Sequence, residues 1–382
     1  MPWSETNPMS ERARFLALEA EGLYSMAELC ERFGIARKTG YKWKERFQRD
    51  GLEGVRAQSR APRSCPHRTP EPVEQLLREA RERHPSWGPR KLLDYLEPRH
   101  PERVFPAPST VGELLKRAGL VEGKRRRRRH PHPGSAPLET TAPNQVWCVD
   151  FKGQFPTQDG QDCYPLTVMD AHSRFLLACV ALSSTQHAGV VPVFERLFTA
   201  YGLPAAMRSD NGVPFATVAL SGFSKLSVWW LKLGITHQRI EPGRPEQNGR
   251  HERMHRTLKA ETARPPEKDH AAQQARFERF QAEYNQERPH AALGGRTPGS
   301  QYLKSARAYP GTAPEPTYPK HYLVRRVSRA GNFRMHNRQV FASLPLVGEL
   351  LGLEETDDRI WSVYLGPYLL GRLSEENYRL QT

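Results

Sequence analysis

The hydrophobic positions of residues 10–50 recur at helical spacing and predict three short helices. The first carries an apolar stripe in "RFLALEAEGL". The second opens with a capping box from Ser25 to Glu28 and closes on Gly34, and the third ends at Gly51. Because the third helix is rich in Arg and Lys and follows a tight glycine turn, the pair forms a helix-turn-helix pattern.

The third predicted helix supplies candidate core residues and candidate DNA contacts. Trp43 and Phe47 are expected to face the core, and Cys30 should lie where the two helices approach closely. Gly40 is unfavourable here, since glycine costs about 1 kcal/mol relative to Ala inside a helix. The start of this helix would contact DNA through Arg37, Lys38, Tyr41 and Lys42. A three-helix bundle that binds nothing is the alternative.

A second helical group follows a linker rich in Pro, Arg and Ser. "VEQLLREARERHP" is amphipathic, and "WGPRKLLDYL" and "STVGELLKRAGL" form a further helical pair. Thr110 and Glu113 have the spacing of another capping box. These patterns predict two N-terminal helical domains of helix-turn-helix type, at residues 1–58 and 70–122.

Residues 123–140 form a strongly basic linker. Its six successive cations, Lys124 through Arg129, repel one another and should be extended. Near DNA they would neutralise phosphates and release counterions. The candidate DNA contacts are Arg125, Arg126, Arg127, Arg128 and Arg129. A linker that merely aids solubility is the alternative.

From residue 145 the pattern changes to strands alternating with helices. "VWCVDFKGQF" is a nearly continuous apolar run typical of a buried strand, and "YPLTVMDAHS" and "FLLACVALSS" follow at hairpin spacing. A helix, a strand, a helix, a strand and a last helix come next. Three strands that lead into an α/β crossover have the element order of the ribonuclease H fold, which predicts an α/β ribonuclease H-like core over residues 141–305.

The C-terminal segment is rich in short alternating strands. It follows a proline-rich linker and contains "HYLVRRVS", "GNFRMHN", "RQVFASLP", "RIWSVYLG" and "YLLGRLS". This spacing predicts a small all-β barrel of the Src-homology type over residues 318–382. The chain as a whole is therefore expected to be multidomain.

Composition and charge predict the type of binding partner and the cellular compartment. The formal net charge is +15 over 382 residues, and a protein this basic usually meets a polyanion such as nucleic acid rather than carrying a merely solvated basic surface. No run of 18 apolar residues occurs, so no membrane span is expected. Five cysteines without C-x-x-C spacing favour free thiols. The N-terminus lacks the pattern of a secretion signal, so a cytoplasmic location is expected.

Three acidic residues of the predicted core stand out by position. Asp150 interrupts an apolar strand, where an unpaired carboxylate is costly. Asp210 follows the predicted strand "AMRS", and Glu252 lies on the last helix among many cations. Carboxylates from a strand, a strand end and a helix can converge at one sheet edge. Oxygen ligands suit Mg²⁺ or Mn²⁺, two of which can catalyse phosphoryl transfer.

The helix that carries Glu252 also presents cations. Arg256 and Lys259 lie four and seven residues after Glu252 on the same face, and Asn248 lies one turn before it. The helix thus offers one carboxylate to a metal ion and its neighbours to DNA phosphates. The alternative is that Glu252 only forms salt bridges along the helix.

Residues 145–300 resemble the catalytic core of retroviral integrases and bacterial insertion-sequence transposases, whose signature is Asp, Asp, Glu. Five segments match in order: "WCVDF", "MDAHSRFLLA", "RSDNGVPF", "RPEQNGRHERMHRTLK" and "FQAEYNQERPHAALGGRTP". The resemblance implies that Asp150, Asp210 and Glu252 are catalytic metal ligands. The interval of 42 residues between Asp210 and Glu252 exceeds the usual spacing. Helix-turn-helix domains in place of a zinc domain favour the bacterial transposase branch.

The resemblance implies a metal-dependent DNA transposase with two Mg²⁺ or Mn²⁺ ions per active site. It would bind the terminal inverted repeats of its mobile element, cleave the DNA ends and join their 3′-hydroxyls to target DNA, as at least a homodimer on DNA in the bacterial nucleoid. Two alternatives stay open: a catalytically inactive, transposase-derived DNA-binding regulator, and a nuclease of the ribonuclease H fold.

Other polar and aromatic residues receive structural interpretations. Asp170 is expected to serve a turn or a hydrogen bond, and His251 and His255 are expected at the surface or facing DNA rather than on a metal. His290 is interpreted as structural, and Glu246 as a weak candidate near the metals. Five aromatic residues at helical spacing are assigned to packed helices: Trp229, Trp230, Phe277, Phe280 and Tyr284.

Overall fold

A computed structural model of the chain describes residues 8–57, 68–121, 140–217, 222–241 and 249–381. The chain divides into two compact units, Met1–Arg68 and Thr69–Thr382. In the described ranges, every helix is too short or too polar to cross a membrane.

The first unit contains three helices, α1 (Pro8–Ala20), α2 (Met26–Arg32) and α3 (Arg37–Asp50), followed by a 3₁₀ turn at Gly51–Val55. The predicted capping box is confirmed, because the Ser25 side chain accepts a hydrogen bond from the Glu28 amide and the Glu28 carboxylate accepts one from the Ser25 amide. Satisfying these amides fixes the start of α2.

Gly40 is the contact point between α2 and α3, which corrects its interpretation as a flaw. A Cβ at Gly40 would lie 2.6 Å from the Cys30 sulfur and 3.1 Å from the Phe15 ring. Cys30 is buried at that approach, as predicted. Trp43 packs on this core, but Phe47 is 37% exposed, so the prediction that Phe47 faces the core is wrong. The close approach of α2 at Gly40 leaves Phe47, seven residues on, beyond the packed surface.

The second unit begins with three more helices, α4 (Glu71–Arg83), α5 (Pro89–Leu96) and α6 (Pro108–Arg117). They share a core centred on the fully buried Trp87. The predicted capping box at Thr110 is wrong: α6 begins at Pro108 after Ala107, with no side-chain cap. Proline at the start of a helix needs no amide partner, so the helix begins three residues earlier than predicted.

A mixed sheet forms the centre of the second unit. Its strands are β1 (Val146–Phe151), β2 (Phe155–Pro156), β3 (Asp162–Asp170), β4 (Leu176–Leu182), β5 (Ala206–Ser209) and β6 (Thr236–Arg239). The order is β4-β3-β1-β5-β6, and the short β2 also pairs with β3. The pairs β1–β3 and β3–β4 are antiparallel, whereas β1–β5 and β5–β6 are parallel. The predicted hairpins and crossovers are therefore present.

Helices cover both faces of this sheet. They are α7 (His187–Tyr201), α8 (Lys225–Lys232), α9 (Gly249–Thr262) and α10 (His270–Gln286). On one face, α7 and α8 pack on Trp147, Val149 and Leu166, and Trp230 is fully buried there. On the other face, α9 and α10 pack on Met169 and its neighbours. The predicted burial of Phe277, Phe280 and Tyr284 is confirmed.

The C-terminal region is all-β, as predicted, but its strands do not pair into a closed barrel in the described residues. Its strands are β7 (Leu323–Arg326), β8 (Asn332–Met335), β9 (Arg338–Phe341), β10 (Leu350–Asp357), β11 (Ile360–Leu365), β12 (Tyr368–Ser374) and β13 (Arg379–Gln381). An open five-stranded sheet runs β13-β12-β11-β10-β7, and β8 and β9 form a separate hairpin. The hairpin covers the sheet's apolar face without joining its hydrogen bonds, and Val228 and Leu231 of α8 share the same core.

Candidate active site at the end of the central sheet

The strand register brings Asp150 and Asp210 side by side. β1 and β5 are parallel, with Val146 opposite Ala206 and Cys148 opposite Arg208. Continued two residues beyond this pairing, the same offset of 60 residues would set Asp150 opposite Asp210, the residue directly after β5. Neighbouring strands lie about 4.8 Å apart, and register partners point to the same face of a sheet. The two carboxylates therefore begin from adjacent backbone positions.

Asp210 opens a turn that is held by its own hydrogen bonds. Its Oδ1 accepts from the Gly212 amide at 3.1 Å, and the Asn211 side chain donates to the Ile240 carbonyl at 2.8 Å. Ser209 Oγ donates to the Asp210 carbonyl at 2.8 Å. Because these contacts tie the ends of β5 and β6 together, the turn holds an exposed Asp210 on a fixed backbone.

α9 presents two distinct faces. Its buried face comprises His251, Met254, His255, Leu258 and Thr262. Glu252, Arg256 and Lys259 are all exposed, at the spacing that places them on one side of a helix. The predicted carboxylate and its two cations thus share an open face. Some predicted residues lie outside the part of the chain that the structure describes. They are the predicted DNA contacts Asn248 and Arg125–Arg129, and Glu246.

His251 and His255 are buried beneath the site, so the prediction that they lie at the surface or face DNA is wrong. They are 0% and 3% exposed. The Nε2 atoms of both histidines are hydrogen-bonded to the Thr167 hydroxyl oxygen, at 2.6 Å and 2.7 Å. The same hydroxyl donates a hydrogen bond to the Asp150 carbonyl at 3.0 Å. Since Thr167 is the cross-strand partner of Asp150, these contacts attach α9 to the strand that carries Asp150.

The carboxylates repel one another in this arrangement. Burial raises the pKa of Asp150 to about 7, and the charges of Asp210 and Glu252 add to the rise against the opposing effects of the Phe151 amide and Lys152. Glu252 on α9 is therefore near enough to Asp150 on β1 for its negative charge to raise the pKa of Asp150. The Asp150 side chain is 19% exposed, so it stands at the border between the core and solvent.

The two histidines are neutral and form no ion pair with Asp150. Burial lowers the pKa of His251 to about 3 and that of His255 further still. His255 Nδ1 lies 3.8 Å from Asp150 Oδ2, which is beyond a hydrogen bond. The histidines thus act through shape and through Thr167 rather than through charge.

The carboxylate oxygens of the site suit a hard cation, although the side chains are not arranged around a common metal position. Within the described ranges, no three His, Cys, Asp or Glu side chains are arranged to hold a metal ion. Three carboxylates form an oxygen-only donor set, which suits Mg²⁺ or Mn²⁺. A divalent cation would also relieve the repulsion that raises the pKa of Asp150.

In the first unit, the four predicted DNA contacts lie on the open side of α3. Arg37, Lys38, Tyr41 and Lys42 are exposed, and Tyr41 is 57% exposed despite its aromatic ring. Trp43 forms the border of this surface, with the Arg12 guanidinium 4.1 Å from its ring centre. The surface is therefore basic and available.

Asp170 is a hydrogen-bonding residue of the turn after β3, as predicted. It is fully buried, its Oδ1 accepts from the amide and hydroxyl of Ser173, and its Oδ2 accepts from the Asn144 amide. Sequence reasoning missed Thr167. The only signal was a single threonine within the apolar run "YPLTVMD", and this does not distinguish a residue that anchors a helix from an ordinary strand threonine.

Comparison with known families fits this arrangement. Residues 140–245 and 233–298 match the integrase core domain family, and residues 6–56 and 39–115 match homeodomain-like domains. Residues 140–298 therefore match an integrase core domain, a family whose members are polynucleotidyl transferases, and the N-terminal helices match DNA-binding helix-turn-helix domains.

The sequence relatives include proteins of bacterial insertion elements. The insertion element IS476 uncharacterized 39.2 kDa protein of Xanthomonas euvesicatoria is 28% identical over 263 residues, 66% of this chain and 72% of that protein. The insertion element IS407 uncharacterized 31.7 kDa protein of Burkholderia multivorans is 28% identical over 204 residues, 52% and 69% of the two chains. These matches confirm the resemblance to bacterial insertion-sequence transposases of the integrase superfamily.

Solved structures with partial similarity include the HTLV-2 integrase catalytic core domain in complex with magnesium. It covers 43% of this chain and 100% of its own, at 13% identity and a TM-score of 0.33.

Proposed function

We propose that the chain is a DNA transposase. Its helix-turn-helix domains bind the terminal inverted repeats of a mobile element, and its ribonuclease H-like core cleaves the element ends and joins their 3′-hydroxyls to target DNA. Asp150, Asp210 and Glu252 are the catalytic residues. The domain division at residues 1–58, 70–122, 141–305 and 318–382, with a basic linker at 123–140, belongs to the same proposal.

One observation carries the proposal. The parallel register of β1 and β5, continued past its last pair at Cys148 and Arg208, leads to Asp150 and Asp210. Thr167 attaches α9 to β1 through His251 and His255, and Glu252 follows His251 in the sequence. We infer that Asp210 and Glu252, which lie 60 and 102 residues after Asp150, meet it at one sheet edge. The contribution of both charges to the raised pKa of Asp150 supports this inference. Such convergence of acidic side chains at the end of strands is typical of a phosphoryl-transfer site rather than of a structural salt bridge.

Asp150, Asp210 and Glu252 would hold two Mg²⁺ or Mn²⁺ ions. When bound, such ions activate the attacking oxygen and stabilise the leaving oxygen of an in-line displacement. Thr167, His251 and His255 hold α9 in register with β1 and so position Glu252. This support is neutral, so it adds no charge beneath the site.

DNA would be held by cations around the carboxylates and at the helix-turn-helix surface. On α9, Arg256 and Lys259 flank Glu252 and would contact backbone phosphates next to the reacting one, together with Asn248. On α3, Arg37, Lys38, Tyr41 and Lys42 would contact the terminal repeats, and Arg125–Arg129 would contact backbone phosphates. Two element ends must be held together, which requires at least a homodimer on DNA.

The test uses labelled duplexes made from the DNA that flanks the reading frame, incubated with the purified chain, target plasmid and Mg²⁺. The wild type should nick the element ends and join them to the plasmid. Loss of a metal ligand removes several kcal/mol of transition-state stabilisation, so Asp150→Asn should be slower by roughly 1,000-fold or more. Asp358→Asn, the same change at an exposed site in the turn between β10 and β11, is the control and should match the wild type.

The two rivals give different results in the same assay. A transposase-derived regulator would bind the ends without cutting them, and a structure-specific nuclease would cut without joining. Cutting and joining by Asp150→Asn at the wild-type rate would refute the catalytic assignment.

A further inference from the structure

A cavity in the second unit is lined by cations and lies away from the carboxylate face of α9. Its volume is about 240 Å³. Five basic side chains line it, contributed by four parts of the chain: Lys91, Arg174, Arg250, Arg253 and Arg288. His290 also lines the cavity, and no Asp or Glu is among its lining residues. The remaining lining residues are Met254, Thr257, Tyr284, Ala291 and Ala292.

The cavity and the candidate active site lie on different faces of α9. Arg250, Arg253 and Thr257 face the cavity, whereas Glu252, Arg256 and Lys259 form the exposed row beside the carboxylates. Residues spaced by three and four share one face of a helix, so these two sets are separate rows. A ligand in the cavity is therefore not the reacting group.

Two buried polar atoms in the lining have no hydrogen-bond partner among the described residues. They are Arg174 Nη1 and His290 Nε2. A buried guanidinium N–H without an acceptor is costly, and native proteins rarely leave one unsatisfied. Some of the other cations are partly engaged, since Arg288 donates to Glu261 Oε1 at 3.1 Å and Arg250 donates to the Ala171 carbonyl at 3.2 Å. The excess of donors indicates a missing acceptor.

The cations destabilise one another's charged forms. Burial and the charge of Arg288 lower the pKa of Lys91 to about 8, despite the opposing effects of Glu261 and Asp94. Burial and the charge of Arg250 lower the pKa of Arg174 to about 10. Burial, with Lys91, Arg288 and Arg174 nearby, lowers the pKa of His290 to about 3. Repulsion of this kind is relieved by an anion held among the cations.

We propose that this cavity is a phosphate-binding site formed between the second helical domain and the core. Lys91 of α5 approaches from the helical domain, Arg174 from the turn before β4, and Arg250 from the first turn of α9, where the helix dipole also favours an anion. Arg253 is exposed, so the cavity reaches solvent and a phosphate group can enter. The phosphate comes either from the backbone of bound DNA, which rests on the proposed function, or from free inorganic phosphate.

The first arm of the test measures unfolding temperature in inorganic phosphate against chloride at equal ionic strength. The wild type should be stabilised by phosphate. Lys91→Met and Arg174→Met should lose most of that gain, yet be at least as stable as the wild type in chloride, because each removes one repelling cation. The control, Arg279→Gln on the exposed side of α10, should keep the wild-type response.

The second arm identifies the source of the phosphate by binding to a labelled element-end duplex. If a DNA phosphate occupies the cavity, Arg174→Met should weaken DNA binding by ~10-fold, the order expected for a lost charge-assisted contact, and inorganic phosphate should compete only in the wild type. If Arg174→Met abolishes the phosphate response but leaves DNA affinity unchanged, the occupant is free phosphate.

The inference is overturned if wild type and variants respond alike to phosphate and bind DNA alike, or if both Met variants are less stable than the wild type in chloride. End cleavage by the wild type is recorded separately. If the phosphate response is absent but the wild type cleaves and joins DNA, the phosphate site is refuted and the transposase proposal stands. If the phosphate response is present but the wild type does not cleave DNA, the phosphate site stands and the transposase proposal is refuted.

Discussion

Thr167 is the residue through which the helix of Glu252 and the strand of Asp150 meet. Its one hydroxyl contacts two histidine nitrogens and a backbone carbonyl, all of them at 3.0 Å or less. A hydroxyl has one proton and two lone pairs, so it can satisfy three partners at once. No charged residue could do so here without disturbing the carboxylates above it.

Replacing Thr167 tests this support. Thr167→Val keeps the shape but leaves buried partners unsatisfied, at about 1–3 kcal/mol for each group. We expect the free energy of unfolding in urea to fall by roughly 2 kcal/mol or more, and end cleavage to fall with it. Thr167→Ser retains the hydroxyl and should preserve both. Equal behaviour of the Val and Ser variants would show that the hydroxyl has no such role.

His237 makes stability sensitive to acid. Burial, with a smaller effect of Arg239, lowers its pKa from 6.5 to about 4. Between these values the unfolded chain binds a proton that the folded chain does not, so stability falls as pH drops below 6.5. From pH 7 to pH 5, this side chain should remove roughly 2 kcal/mol.

The measurement compares urea unfolding of the wild type and His237→Gln at both pH values. The comparison is needed because the raised pKa of Asp150 acts in the opposite direction over the same range. The variant should lose about 2 kcal/mol less than the wild type on acidification. Identical pH profiles would contradict the burial of a neutral His237.

The sequence pointed to three acidic residues as the proposed metal ligands but did not predict the buried contacts that position them. Asp150, Asp210 and Glu252 were recognisable because each breaks a local pattern, in an apolar strand, at a strand end and on a basic helix. The burial of His251 and His255 was not predicted, because a histidine among Arg and Lys resembles a surface residue. Only tertiary packing against Thr167 shows otherwise.

At the scale of elements, Gly40 determines how closely α2 and α3 pack. Alanine is favoured over glycine in a helix by about 1 kcal/mol, but overpacking typically costs about 1–3 kcal/mol. With a methyl group 2.6 Å from the Cys30 sulfur, overpacking should win.

We therefore expect Gly40→Ala to speed hydrogen exchange in α2 and α3 of the full chain, by roughly fivefold for each kcal/mol lost. The double variant with Cys30→Ala should be less destabilised than the sum of the two single variants, because the added methyl then has room. Slower exchange in Gly40→Ala would show that helix propensity decides instead.

The exposed row of α9 makes a separate prediction about DNA. Replacing Arg256 and Lys259 by Gln removes two cations and should weaken binding to all duplexes, while the slope of log affinity against log salt becomes shallower by about 2. The matched control replaces Arg279 and Lys304, which are also exposed. An unchanged slope in the α9 variant would remove this row from the DNA interface.

The elements themselves were largely predictable, whereas their closure was not. The β-meander, the crossovers and the six N-terminal helices follow from periodicity, turns and caps. The C-terminal strands were also recognised, but short alternating strands do not say whether a sheet closes. Closure requires hydrogen bonds between the two edges of the sheet. In the part of the chain that the structure describes, β8 and β9 pair with each other and join neither edge.

Over the second unit as a whole, the core joins its neighbours through specific contacts. The second helical domain meets α10 through His84 and Glu283, 2.9 Å apart, and the C-terminal sheet meets α8 through Lys232 and Glu349, 2.9 Å apart. The second helical domain and the C-terminal sheet are thus each attached to a helix that covers the central sheet.

The transposase proposal requires that Asp150, Asp210 and Glu252 jointly bind divalent cations. A crystal structure of the chain with element-end DNA and Mn²⁺, analysed by anomalous scattering, shows directly whether they do. We expect manganese peaks within about 2.0–2.3 Å of carboxylate oxygens from all three residues. Peaks elsewhere, or a Glu252 side chain turned away from manganese held by Asp150 and Asp210, would contradict it.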